Sequence, residues 1–167
     1  LPCLSDNYAW LLQAPDGRVA VCDPGEAGAV IKTLEAMGKT LDLILLTHHH
    51  GDHVDGVPAL VERYGAKVLG AKADAHRLPK LDIVVEPGQT VEVFGEPMRV
   101  LASDGHTRGH VALHFPQGGF VLCGDTLFSL GCGRLLEGTA AEMFDSLKAL
   151  AVLPADTLVC CGHEYTQ

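Results

Sequence analysis

Four of the chain's nine histidines stand within six positions, in THHHGDH (Thr47–His53), and an aspartate precedes the last of them. Imidazole and carboxylate suit zinc, iron or manganese, and such a site needs no cysteine. In an extended segment, residues two apart share a face. His48 and His50 can therefore reach one ion together, while His49 points the other way. Asp52 and His53 are adjacent, so a turn can aim both at a second ion beside the first. A solvated histidine run is the competing reading, and the flanks oppose it. LDLILL (Leu41–Leu46) is an apolar run of strand type, and VPALVERYG after the cluster reads as a helix ending at Gly65.

The elements that must position these groups can be read from the same patterns. Strand-like runs recur at YAWLLQ (8–13), VAVC (19–22), LDLILL, KVLG (67–70), TVEVF (90–94), MRVLAS (98–103), HVALHF (110–115), GFVLCG (119–124) and TLVCCG (157–162). Most end in Gly, Pro or Asp turns, and APDGR (14–18) reads as the turn of an early hairpin. Helical spacing appears in EAGAVIKTLEAMG, with Gly38 as its stop, and in TAAEMFDSLKALAVLP, which opens with Thr139 and Glu142 at capping-box spacing. Strands outnumber helices and helices fall between some of them, which predicts an α/β sandwich of two mixed sheets with helices on the outer faces. His106 follows MRVLAS, Asp125 follows GFVLCG and His163 follows TLVCCG, as His48, His50, Asp52 and His53 follow LDLILL. Ligand sites of layered α/β proteins collect at the carboxyl ends of strands. Alone, His76 or His114 reads as a surface or core residue, and Asp125 as the cap of a turn. The coincidence of seven candidate ligands at four strand ends favours a metal site.

Composition bounds the rest. A chain of 167 residues fits one domain, and 47% hydrophobic with 20% charged residues is ordinary for a globular protein. No apolar run approaches the ~20 residues that span a bilayer. A net charge of −9, with its twelve basic residues scattered singly, argues against nucleic acid. An acidic protein can still take an anionic small molecule if metal ions dominate the field of its pocket. Six cysteines without a CxxC pair, several in apolar runs, predict reduced thiols and a cytoplasmic location.

The motifs resemble a known family. THHHGDH looks like the T-H-x-H-x-D-H signature of the metallo-β-lactamase fold, and DPG (23–25), GHTRGH (105–110) and GDT (124–126) match its other landmarks. DNY (6–8), GDTLF running into GCGRLLEGT (124–139) and GHEYT (162–166) resemble, more narrowly, glyoxalase II, the hydroxyacylglutathione hydrolases. The resemblance implies an αβ/βα sandwich and a binuclear site, with His48, His50 and His106 on one divalent ion, Asp52, His53 and His163 on the other, and Asp125 bridging. It implies zinc first, with iron or manganese as alternatives, and Asp23 and His110 as supports of the ligating imidazoles. It implies hydrolysis of S-D-lactoylglutathione to D-lactate and glutathione by a metal-bridging hydroxide, with Asp52 or Asp125 orienting the nucleophile's proton. Arg134 and Tyr165 match glutathione contacts of the family. The expected partner is a glutathione thioester, with no nucleic acid and no membrane, and the expected state is a monomer.

The sequence also departs from the family pattern. Asp104 stands where proline is common and Leu136 where an aromatic is common. The family continues into a basic C-terminal helical domain, so residues 1–167 are expected to form the metal-binding catalytic domain without it. Two rival readings are a mononuclear-iron persulfide dioxygenase of the same fold and a non-catalytic metal-binding domain. His53 and His163, completing a two-metal pattern, count against the first.

Overall fold

The structure is a computed structural model and describes residues 1–166. Short apolar runs rich in Val and Leu form two five-stranded sheets. The first has the order β3-β4-β5-β6-β7, from β3 (Trp10–Gln13), β4 (Val19–Cys22), β5 (Leu43–Leu45), β6 (Lys67–Ala71) and β7 (Ile83–Val85). β3 pairs antiparallel to β4 around the Ala14–Arg18 turn, and β4 to β7 run parallel. The second has the order β12-β11-β10-β9-β8, from β8 (Thr90–Val93), β9 (Glu96–Ala102), β10 (Val111–Phe115), β11 (Phe120–Gly124) and β12 (Leu158–Cys161). Its pairs are antiparallel except β11 with β12. A two-stranded ribbon of β1 (Pro2–Cys3) and β2 (Asn7–Tyr8) precedes both.

Alternation along the buried strands builds three apolar layers. Val19 and Val21 of β4, with Ile44 and Leu46, face Val30 and Leu34 of α1 (Ala27–Met37) and Val57 and Leu60 of α3 (Val57–Tyr64). Ala20, Cys22, Leu43 and Leu45 face the opposite way and pack between the sheets against Met98, Val100, Val111, Leu113 and Leu122. On the far side, Ala112, Val121 and Cys123 meet Leu150 of α4 (Ala140–Ala151). The order helix, sheet, sheet, helix is the αβ/βα sandwich. Gly38 and Gly65 take left-handed φ at the ends of α1 and α3, and Thr139 with Glu142 forms the capping box that starts α4.

Three local expectations need amending. Residues 8–13 are not one strand: Ala9 donates to Leu1 O, so the chain breaks there and Asn7–Tyr8 pairs with β1 and bridges His163. Asp52 and His53 sit on a one-turn helix, α2 (Gly51–Val54), rather than on a bare turn. β7 was not read from the sequence, because a three-residue edge strand presents too little alternation to be told from loop.

Candidate metal centre

The parallel pairs β4–β5 and β11–β12 end on the same side of the sandwich, and the loop after β9 returns there. Asp23 follows β4, Thr47–His50 follow β5, His106 follows β9, Asp125 follows β11 and His163 follows β12. Seven candidate ligands converge in two groups. His48, His50, His106 and Asp125 have donor atoms all within 4.8 Å of one another, and so have Asp52, His53 and His163. His50 Nδ1 lies 3.1 Å from His48 Nε2 and 3.0 Å from His106 Nε2. Asp125 joins the groups: Oδ2 is 3.3 Å from both His106 Nε2 and His163 Nε2, and Oδ1 is 3.4 Å from His53 Nε2. Asp52 Oδ2 lies 3.4 Å from His163 Nε2 and 3.6 Å from His53 Nε2.

Hydrogen bonds behind the rings decide which nitrogen faces inward. A carbonyl only accepts, so His106 Nδ1, 2.8 Å from Arg134 O, carries the hydrogen and turns the Nε2 lone pair into the site. Carboxylates do the same for His53 through Asp23 Oδ2, at 3.2 Å, and for His163 through Asp6 Oδ1, at 2.9 Å. Thr47 Oγ1 donates to Asp23 Oδ2 at 2.6 Å, which leaves its oxygen to accept from His48 Nδ1 at 3.0 Å. The donors so aimed do not satisfy one another. His50 Nδ1 can carry one hydrogen for two facing lone pairs, and His53 Nε2 and Asp125 Oδ1 are buried without a hydrogen-bond partner. Buried polar atoms are normally paired, and neutral imidazoles with carboxylates are the donors divalent transition metals take. The residues present fit a pair of ions sharing Asp125.

Electrostatics separates the groups. Burial, together with the surrounding imidazoles, pushes His48 well below the usual histidine range. Burial lowers His110 to about 3, so it is neutral. Burial would also lower His53, but Asp125 and Asp23 on either side outweigh it and raise it to about 10. His163 is likewise raised, Asp125 and Asp6 overcoming burial. Burial opposes ionisation of Asp125, yet His163 and His53 hold its carboxyl far below the usual range. An ion there would take the Nε2 lone pairs of His53 and His163, so its binding competes with protonation of these two imidazoles.

The other expected residues fall as follows. Asp23 holds Thr47 and His53, and His110 accepts from Asp125 N at 3.2 Å while stacking on His48. His49 turns away from both groups, to Asp74 Oδ2 at 3.0 Å. Buried Asp74 also takes Arg77 Nε at 2.6 Å, and Arg77 reaches Glu137 and the carbonyl of Arg108, so the loops flanking His106 are tied together. Arg134 is exposed at the mouth, and Tyr165 stacks on His163 with centroids 5.0 Å apart. His76 is exposed and His114 buried, both outside the site. Asp6 and Asn7 were not among the expected site residues: DNY stood out only as a family motif without ligand spacing, and the structure pairs it with His163 and Asp52, far away in the chain.

The model of the metallo-beta-lactamase superfamily matches residues 5–163. Hydroxyacylglutathione hydrolase of Ruegeria pomeroyi is 54% identical over 168 residues, covering 100% of this chain and 66% of that protein. The enzyme of the same name from Acidiphilium cryptum is 53% identical, covering 99% of this chain and 68% of that protein. The chain thus spans about two thirds of the length of these curated relatives. Among solved structures, TTHA1623 in a di-iron-bound form superposes with a TM-score of 0.82 at 33% identity, covering 98% of this chain and 90% of that one. ETHE1 from Myxococcus xanthus gives 0.83 at 32%, covering 97% and 72%. BLEG-1 B3 metallo-beta-lactamase, with a TM-score of 0.85 at 24% identity over 95% of this chain and 87% of that one, shares the fold.

Proposed function

The chain belongs to the metallo-β-lactamase superfamily, beside the hydroxyacylglutathione hydrolases, and from that premise we propose that it hydrolyses S-D-lactoylglutathione to D-lactate and glutathione. The observation that carries this reading is the pair of histidine and aspartate groups sharing Asp125, in a chain 54% identical to an enzyme of that name. His48, His50 and His106 would hold one ion, Asp52, His53 and His163 the other, with Asp125 between them. Zinc is the first choice, with iron or manganese as alternatives. Bound there, two divalent ions supply Lewis acidity to a thioester carbonyl and lower the pKa of water from ~16 toward neutrality.

The chain's own residues do the rest. Asp23 and Asp6 hold the Nδ1 hydrogens of His53 and His163, so that the Nε2 lone pairs face the ion. Burial would raise Asp52, but the hydrogen bond from Asn7 and the nearby imidazoles keep it low, so it faces the mouth as a carboxylate able to accept a proton from the attacking water. Asp125 is ionised and fixed from behind by His110, so the two groups keep their spacing. The leaving thiolate has a parent pKa near ~8.5 and needs no strong acid. Arg134, exposed beside the His106 loop, pairs with a carboxylate of the glutathione moiety, and Tyr165 walls the mouth over His163. Leu136, exposed in the same loop, offers an apolar contact in place of an aromatic one.

Against a persulfide dioxygenase with a single iron stands the complete second group of Asp52, His53 and His163. Six free thiols suit a reducing cytoplasm, and no helix among the described residues is long and apolar enough to cross a membrane. The test combines metal analysis with a lactoylglutathione assay and an Asp125→Ala control. Two ions and thioester turnover, lost in the variant, support the reading. Two ions without hydrolysis, in this chain and in one extended to the relatives' length, would sink it. Oxygen uptake with glutathione persulfide would instead favour the dioxygenase.

A further inference from the structure

The imidazoles of the two groups are backed by different chemistry. His48 and His106 turn Nδ1 to neutral acceptors, the Thr47 hydroxyl and the Arg134 carbonyl. His53 and His163 turn Nδ1 to carboxylates, Asp23 and Asp6. The third member of that second group is also braced: Asn7 Nδ2 donates to Asp52 Oδ2 at 2.9 Å and reaches Asp52 O at 3.2 Å. Consecutive residues Asp6 and Asn7 therefore touch two of the group's three members. Their backbone is anchored at the same place, since Glu164 N donates to Asp6 O, Tyr8 N donates to Gly162 O, and Asn7 bridges His163.

We infer that Asp6 and Asn7 are positioning residues for the second ion, Asp6 by fixing and charging the back of His163, Asn7 by holding in place Asp52 Oδ2, the oxygen that faces His53 and His163 and keeps a second lone pair for the ion. The inference rests on the two-ion reading and sharpens it. A carboxylate behind an imidazole fixes its tautomer and raises its basicity, and loss of such a partner typically costs ~10–100-fold in metal affinity. Asn7 is buried and neutral, so it orients Asp52 without competing for the cation. Neither residue contacts His48, His50 or His106 among the hydrogen bonds of the site, so the effect should be confined to one ion.

The test is a zinc titration of the chelator-treated full chain against a chromophoric chelator, which reads two affinities. Asp6→Asn keeps an acceptor but removes the charge, and should weaken one of the two by about 10-fold. Asp6→Ala and Asn7→Ala should weaken the same one by up to ~100-fold, with the other ion held within ~3-fold of wild type. A His163→Ala background assigns the ion: with the second group already broken, Asp6→Asn should leave the remaining affinity unchanged. Unchanged affinities in Asp6→Asn and Asp6→Ala overturn the inference. So does an equal loss at both ions, or a loss that persists in the His163→Ala background, because each makes the segment a general brace of the fold. The wild-type arm judges the premise separately, since fewer than two ions there overturns the two-ion reading itself. Asn7→Ala repeats the measurement independently should Asp6→Ala fail to fold.

Discussion

Gly162 offers the sharpest test of how closely β12 is docked against the site. A Cβ placed on it would land on Asp125 Oδ1, well inside contact, and 2.8 Å from His53 Cε1. To restore ordinary contact the carboxylate or the strand end must recede by about 1 Å. Neither has room. Gly162 N is bonded to Gly124 O at 2.8 Å, Asp125 N is held by His110, and His53 is 1% exposed. Overpacking of this kind costs about 1–3 kcal/mol. A domain of this size loses roughly 2–4 °C per kcal/mol, so Gly162→Ala should lower the melting temperature of the chelated protein by about 2–12 °C. Because Asp125 faces both groups, its displacement should also weaken both ions, and a misplacement of ~1 Å should reduce kcat/KM by about 10²-fold. Thermal melts by circular dichroism, metal content after dialysis and thioester hydrolysis give three readouts. Gly28→Ala is the control: it lies in α1 with nothing within 4 Å of its Cβ position, and should be neutral or stabilising by up to about 1 kcal/mol. Gly162→Ala with two ions, wild-type affinity and activity within twofold would refute the packing argument.

Other outcomes follow from the same contacts. Asp125→Ala removes the carboxylate shared by the two groups and should cut kcat/KM by at least about 10²-fold, with metal loss visible by elemental analysis. For the chelated protein, His53 is raised above its ordinary value to about 10, so its contribution to stability is complete below ~6.5 and fades as pH rises toward 10. Asp125 is depressed, so its contribution is present above ~3.8 and fades below. Melting temperatures of the chelated chain should therefore fall from pH 6.5 to 10, and a flat profile would contradict the pairing. Arg77→Ala strips a partner from fully buried Asp74 and unties Glu137, and should cost about 1–3 kcal/mol in urea unfolding. Arg134→Ala should raise KM for lactoylglutathione several-fold with kcat little changed, since Arg134 backs His106 only through its carbonyl.

Much of the architecture was legible because its causes are local. Runs such as VAVC and LDLILL read as buried strands by their shortness and flanking turns, Gly38 and Gly65 stop helices by tolerating left-handed φ, and Thr139 with Glu142 caps α4 three residues apart. The candidate ligands could be picked out because each stands just beyond a strand, and the two-residue period separated His48 and His50 from His49. Period and propensity failed where the chain departs from regularity, as at the break after Tyr8 and the short edge strand at Ile83–Val85.

The sequence by itself determined which residues could bind an ion and which end of each strand they occupy. Only the tertiary structure decided how they are held: Asp6 behind His163, Asn7 on Asp52, Asp74 on His49, and Gly162 against Asp125. Hydrophobic alternation encodes which face of a strand is buried, but it does not say which strands lie side by side. An isolated bridge between Asn7 and His163 brings residue 6 to residue 163, and a hydrogen bond between groups so distant in the chain leaves no periodic trace in either segment.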